Sequence, residues 1–214
     1  VRAMKTCLIA LTGILVAAAS VAAEPVKLPE HLQQGQLVIG HAPPGTRIEF
    51  DGRSLRIGAD GAFVFGLDRD AASRVELRIR GADGQPRTLN LDVEPRSYPT
   101  ERVNGLPQQT VTPSPEILAR IEREQAAVKA ARARDDARED FLHGFSLPVE
   151  AARISGVDGS QRIDNGVPKA PHMGLEMAVP AGTPIHAPAD GVVSFSAKDL
   201  FQTGGPVLID RGHG

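Results

Sequence analysis

The 214-residue chain reads as mainly β. A small β-sandwich-like domain is expected first, then a helical linker, then strands forming the first part of an antiparallel sheet. Three observations lead there. Gly and Pro are abundant, at 22 and 17 residues, which disfavours long helices and favours turns. Aromatics are scarce, with seven Phe, one Tyr and no Trp, so the core falls to Val, Ile, Leu and Ala. Short runs of alternating or β-branched apolar residues recur between turn dipeptides, the pattern of a sandwich or small barrel.

Residues 1–23 read as a signal peptide. Met4-Lys5 gives a cationic start, and "CLIALTGILVAAASVAA" at 7–23 is short and rich in small residues for a bilayer span. Val21 and Ala23 supply the small residues of a cleavage site, which makes Glu24 the first mature residue and Val1-Arg2-Ala3 upstream sequence. The expectation is an exported protein, periplasmic or extracellular, with no integral membrane segment after cleavage. The single cysteine, Cys7, lies in the signal, so the mature chain makes no disulfide. A net charge of −2 leaves no concentrated basic surface for nucleic acid.

Residues 24–100 form the small β domain. "GQLVIG", "TRIEFDG", "SLRIG", "AFVFG", "RVELRIRG" and "TLNLDVE" are its strands. Pro43-Pro44-Gly45, Asp51-Gly52, Asp60-Gly61 and Asp83-Gly84 mark turns. In "RVELRIR", Val75, Leu77 and Ile79 face inward, and Arg74, Glu76, Arg78 and Arg80 form a solvated face.

Residues 101–140 are a Pro-rich linker and a charged helix. The prolines at 95, 99, 107 and 113 argue for a connection without regular structure. Ser114-Pro115-Glu116 then supplies an N-cap, a first-turn proline and an acid at the positive end of the helix dipole. The expected helix runs from Pro115 to Asp140, with Ile117, Ile121 and Val128 as a narrow apolar line.

From residue 141 to 214 the chain turns to short strands and loops, with two clear strands at 192–196 and 207–210. Within it, "PHMGLEMAVPAGTPIHAPADGVV" (171–193) carries His172 and Glu176 four positions apart. Its glycines and prolines exclude a helix. In a strand, residues i and i+4 share a face, so His172, Gly174 and Glu176 are expected to point one way and Met173, Leu175 and Met177 the other. An imidazole and a carboxylate aimed together make half of a metal site.

This stretch resembles the lysostaphin/LytM-type zinc metallopeptidases, which cut the peptides of bacterial peptidoglycan. The family pattern His-x-Gly-x-Asp, followed by Ala-x-Pro-x-Gly-Thr-Pro-Val-x-Ala-Pro-x-x-Gly-x-Val, has its counterpart in His172-Met-Gly174-Leu-Glu176 and Ala178 through Val193. "GSQRIDNGVPKAPH" and "TGGPVLIDRGHG" are similar to the family as well. The resemblance covers about residues 141–214. It implies that His172 and Glu176 ligate Zn²⁺ and that a metal-activated water hydrolyses a peptide bond of the wall. Peptidoglycan is the implied partner. The family's third ligand, in a His-x-His segment, and its acid/base histidines have no counterpart in the sequence, so no catalytic residue is assigned within the chain. The domain is expected to be C-terminally truncated and inactive by itself.

Two departures bear on function. Glu176 stands where the family has Asp. One extra methylene displaces the carboxylate by about 1 Å, which predicts a compromised ligand. Arg211 stands where the family has His, a cation near the cleft. These leave a second reading open: a degenerate domain without metal that binds and activates other cell-wall hydrolases. Of the remaining histidines, His213 is expected to be a surface residue and His186 structural or exposed, and His31, His41 and His143 have no acidic or histidine partner at ligand spacing.

Overall fold

The structure is a computed structural model and describes residues 25–106 and 113–214. The proposed signal peptide lies outside the described residues, as do the central linker positions 107–112. Within the described residues no helix is long and apolar enough to cross a membrane.

The chain is mainly β, as the sequence predicts. All six N-terminal strands form: β1 (Leu37–His41), β2 (Arg47–Phe50), β3 (Arg53–Leu55), β4 (Ala62–Gly66), β5 (Arg74–Arg80) and β6 (Pro86–Asp92). They build a four-stranded antiparallel sheet, β3-β2-β5-β6, and a two-stranded antiparallel β1–β4 pair. Asp51 and Gly52 both adopt positive φ, 48° and 72°, the geometry a two-residue β2–β3 hairpin turn requires. Val38, Ile48, Phe63, Phe65, Leu77 and Leu91 meet in one core. Each fully buried side chain such as Phe63 or Leu77 contributes about 2 kcal/mol. On β5, Leu77 is buried while Arg74, Glu76, Arg78 and Arg80 are exposed, so the alternation reads out as expected. Arg74 and Arg78 pair with Asp92 and Glu49 across neighbouring strands.

The linker departs from expectation. Thr100–Val103 is a strand, β7, inside the proline-rich stretch. Its alternation was concealed by Pro99 and Pro107 on either side. After it, helix α1 spans Pro115–Arg132 with Ser114 as N-cap. The helix stops eight residues before Asp140, because the Asp135-Asp136 pair engages other groups. Asp136 Oδ1 accepts from the Arg138 amide, and Asp135 pairs with Arg56 of the β domain. Such side-chain-to-backbone bonds compete with the helix. Of the apolar line only Ile121 is fully buried.

The C-terminal strands are β8 (Arg153–Gly156), β9 (Gln161–Asp164), β10 (Val167–Pro168), β11 (Glu176–Ala178), β12 (Val192–Ser196) and β13 (Val207–Asp210). β8 pairs with β11 and β12 with β13, both antiparallel. β9 pairs antiparallel with β10 and parallel with β7, so the linker strand joins the two parts of the chain in one sheet.

Candidate metal centre

His172 Nε2 lies 3.5 Å from Glu176 Oε1. The two residues meet, although not from one strand. β11 begins at Glu176, and His172 precedes a bend at Gly174, whose φ is 150°. The expected continuous strand from His172 to Glu176 is therefore corrected to a short strand with a bent lead-in. A glycine at this bend meets a backbone angle that other residues avoid. Met173 and Leu175, between the two, are exposed.

Each partner is held by backbone pairing to one stretch, from Gly156 at the end of β8 to Ser160 just before β9. The His172 amide donates to the Ser160 carbonyl at 2.8 Å, and the Gly159 amide donates to the His172 carbonyl at 2.7 Å. Glu176 pairs directly with Gly156 of β8. A Cβ at Gly156 would fall 2.8 Å from Glu176 Oε2, so the absent side chain is what makes room for the longer carboxylate.

The 3.5 Å separation exceeds a good N–H···O hydrogen bond. It is close to the edge of a tetrahedral zinc site, where ligand atoms about 2.0–2.1 Å from the ion lie about 3.4 Å apart. The side chains are 29% and 45% exposed, so both reach solvent. In kind the donors fit zinc, an imidazole and a carboxylate. In number they supply two, and among the described residues no group of three or more His, Cys, Asp or Glu is placed to hold a metal ion.

Arg211 is not a free cation at a cleft. Its Nη2 donates to the carbonyls of Asp140 and Gly144 at 2.5 and 2.7 Å, and its guanidinium lies over the Phe145 ring. Beside it, Arg134 Nε donates to Asp210 Oδ2 at 2.6 Å, a bond that holds the Asp210 carboxyl below the ordinary carboxylate range. Arg56 does the same for Asp135.

His213 is half-buried rather than a fully exposed surface residue. Its ring packs 4.9 Å from Phe141, and both ring nitrogens are buried without a hydrogen-bond partner among the described residues. Burial pushes the imidazole below its ordinary value, while the Glu139 carboxylate opposes the shift. His186 is exposed, as expected. His31 and His143 each meet a distant carboxylate, Glu94 at 3.3 Å and Asp190 at 3.1 Å. Those carboxylates are 63 and 47 positions away in the chain, beyond any motif spacing. Both pairs are exposed and lie outside the His172–Glu176 pair.

Comparison with known proteins finds no family model that matches the chain and no matching curated protein.

Proposed function

We propose that residues 141–214 belong to a zinc-dependent peptidase that acts on peptidoglycan peptides in the bacterial periplasm or outside the cell. His172 and Glu176 each supply one metal ligand. The observation that carries this reading is the 3.5 Å His172–Glu176 separation, close to the ligand–ligand edge of zinc. The in-register pattern from His172 to Val193 supports the substrate class by resemblance.

In this reading the His172 imidazole and the Glu176 carboxylate would hold the ion, and the carboxylate would lower the net charge of the site. Both keep a solvent-facing aspect, which leaves room for water and a peptide carbonyl. Zinc, when bound, supplies Lewis acidity and lowers the pKa of water. The remaining ligand and the acid/base groups belong, by resemblance, to His-x-His and Tyr-x-His segments that the 214 residues do not contain.

The test is a zinc and cobalt titration of the chain with His172→Ala and Glu176→Gln beside the wild type. Wild-type binding that both substitutions weaken at least tenfold supports the reading. A wild type that binds neither metal, yet stimulates wall lysis by another hydrolase, establishes the non-catalytic regulator instead.

A further inference from the structure

The turn that holds the His172 backbone is clamped from the N-terminal β domain. Arg69, between β4 and β5, donates from Nε to the Gly159 carbonyl at 2.6 Å. That carbonyl belongs to the same residue whose amide holds the His172 backbone. The Arg69 guanidinium also lies 4.5 Å from the ring centroid of Tyr98, and Arg96 approaches the same ring at 5.4 Å. Tyr98 in turn fills the space at Gly159. A Cβ there would fall 2.0 Å from Tyr98 Cε1, and the φ of +82° is one that side chains rarely adopt. Two residues further, the Gln161 amide donates to the Pro99 carbonyl at 2.8 Å, where the β7–β9 pairing starts.

These contacts have a common target. The connection from β8 to β9 holds both candidate ligands, Glu176 through Gly156 and His172 through Gly159 and Ser160. Its turn is gripped by Arg69, Tyr98 and Pro99, none of which lies in the resembling segment. Arg69 is only 20% exposed, and a planar, fork-shaped cation that stacks on an aromatic face is held in one orientation. A metal site tolerates little error in ligand placement, and partners one step behind the ligands commonly change metal affinity 10- to 100-fold.

We infer that the N-terminal β domain sets the spacing of the His172–Glu176 pair through Arg69 and Tyr98, which act as positioning residues. The inference rests on the metal reading for its functional meaning, but not for its geometry. It gives the β domain a role within the site, as the support against which the β8–β9 connection that holds the ligands is registered.

The experiment uses the full chain and two readouts. Amide hydrogen exchange is followed at Gly159 and His172 in the wild type, Arg69→Ala, Arg69→Lys and, as a control, Arg74→Ala on the outward face of β5. Cobalt(II) is titrated into the same four proteins by absorption. Arg69→Ala is expected to speed exchange at both amides about tenfold, with no change at Phe63 and Leu77, and to weaken cobalt binding about tenfold. Arg69→Lys, whose ammonium still donates one bond to the carbonyl, recovers part of both, and Arg74→Ala changes neither. Unchanged exchange at Gly159 and His172 in Arg69→Ala overturns the clamp, whatever the metal does. Cobalt bound equally by wild type and Arg69→Ala overturns the claim that the clamp sets ligand spacing. If the wild type binds no cobalt while exchange responds as expected, the metal reading fails and the clamp stands.

Discussion

The guanidinium of Arg211 stacks 4.0 Å from the centroid of the Phe145 ring, while its Nη2 bridges the carbonyls of Asp140 and Gly144. The end of β13 is thereby fixed to the segment that precedes the candidate site. Arg211→Ala removes two charge-assisted donations and a cation–π contact, a loss of about 2–3 kcal/mol. Arg211→Lys should fall between, since an ammonium cannot reproduce the fork. Urea unfolding monitored on the C-terminal strands checks this. An unchanged midpoint in Arg211→Ala would sink the clamping role.

Glu176→Asp is expected to weaken metal binding on the order of tenfold. The sequence alone predicts the reverse, since Asp is the family residue. But the bend at Gly174 sets His172 back from β11, and Glu176 Oε1 reaches it at 3.5 Å because Gly156 leaves the carboxylate room. Shortening the side chain withdraws the oxygen by about 1 Å. Cobalt titration decides, and tighter binding by the Asp variant would show that Glu176 is the poorer ligand.

His213 should impose a pH dependence on stability. Burial holds the folded imidazole below its ordinary value of 6.5, so the unfolded chain takes up this proton first as pH falls. Stability then falls with pH. The contribution is complete above about pH 6.5 and is lost as pH drops through the lower folded value. Asp135 and Asp210, whose pKa values are lowered from 3.8, remain charged through this window and act only at more acid pH. Thermal melts between about pH 7.5 and 5 should show a loss in the wild type that His213→Asn lacks. Asn tolerates the positive φ of 62° at this position. Equal pH dependence in the two proteins would exclude His213 as the source.

Phe63→Ala should cost about 3–5 kcal/mol. Phe63 is fully buried and packs against Phe65 and the close approach at Gly40, where a Cβ would meet its ring at 2.4 Å. Calorimetry would register the loss as a lowered melting temperature; a loss under 1 kcal/mol would mean the core collapses around the gap.

The strands of the β domain were legible because each carries its own alternation, as Val75, Leu77 and Ile79 do, and each ends at a Gly- or Asp-marked turn. The meeting of His172 with Glu176 was legible from their spacing. Its geometry was not, because one bend at Gly174 changes which atoms face each other. β7 was hidden because four residues between prolines resemble a linker until β9, far along the chain, offers an edge. The burial of His213 depends on Phe141, and the partners of His31 and His143 on Glu94 and Asp190. None of these leaves a local pattern. Arg69 and Tyr98 gave no signal at all, since an arginine in a turn and a tyrosine near prolines are ordinary until Gly159 is set against them.

The parallel pairing of Thr100–Val103 with Gln161–Asp164 has a consequence for how the chain reaches this state. The β domain pairs strands no more than about forty residues apart, but β7 must wait for a partner about sixty residues downstream, with the whole of α1 in the intervening loop. Closing such a loop costs chain entropy before any contact repays it. The sheet that ties the β8–β9 connection to the β domain is therefore a late arrival in folding, and a nick in that loop would leave two pieces held together by hydrogen bonds and ion pairs rather than by the chain.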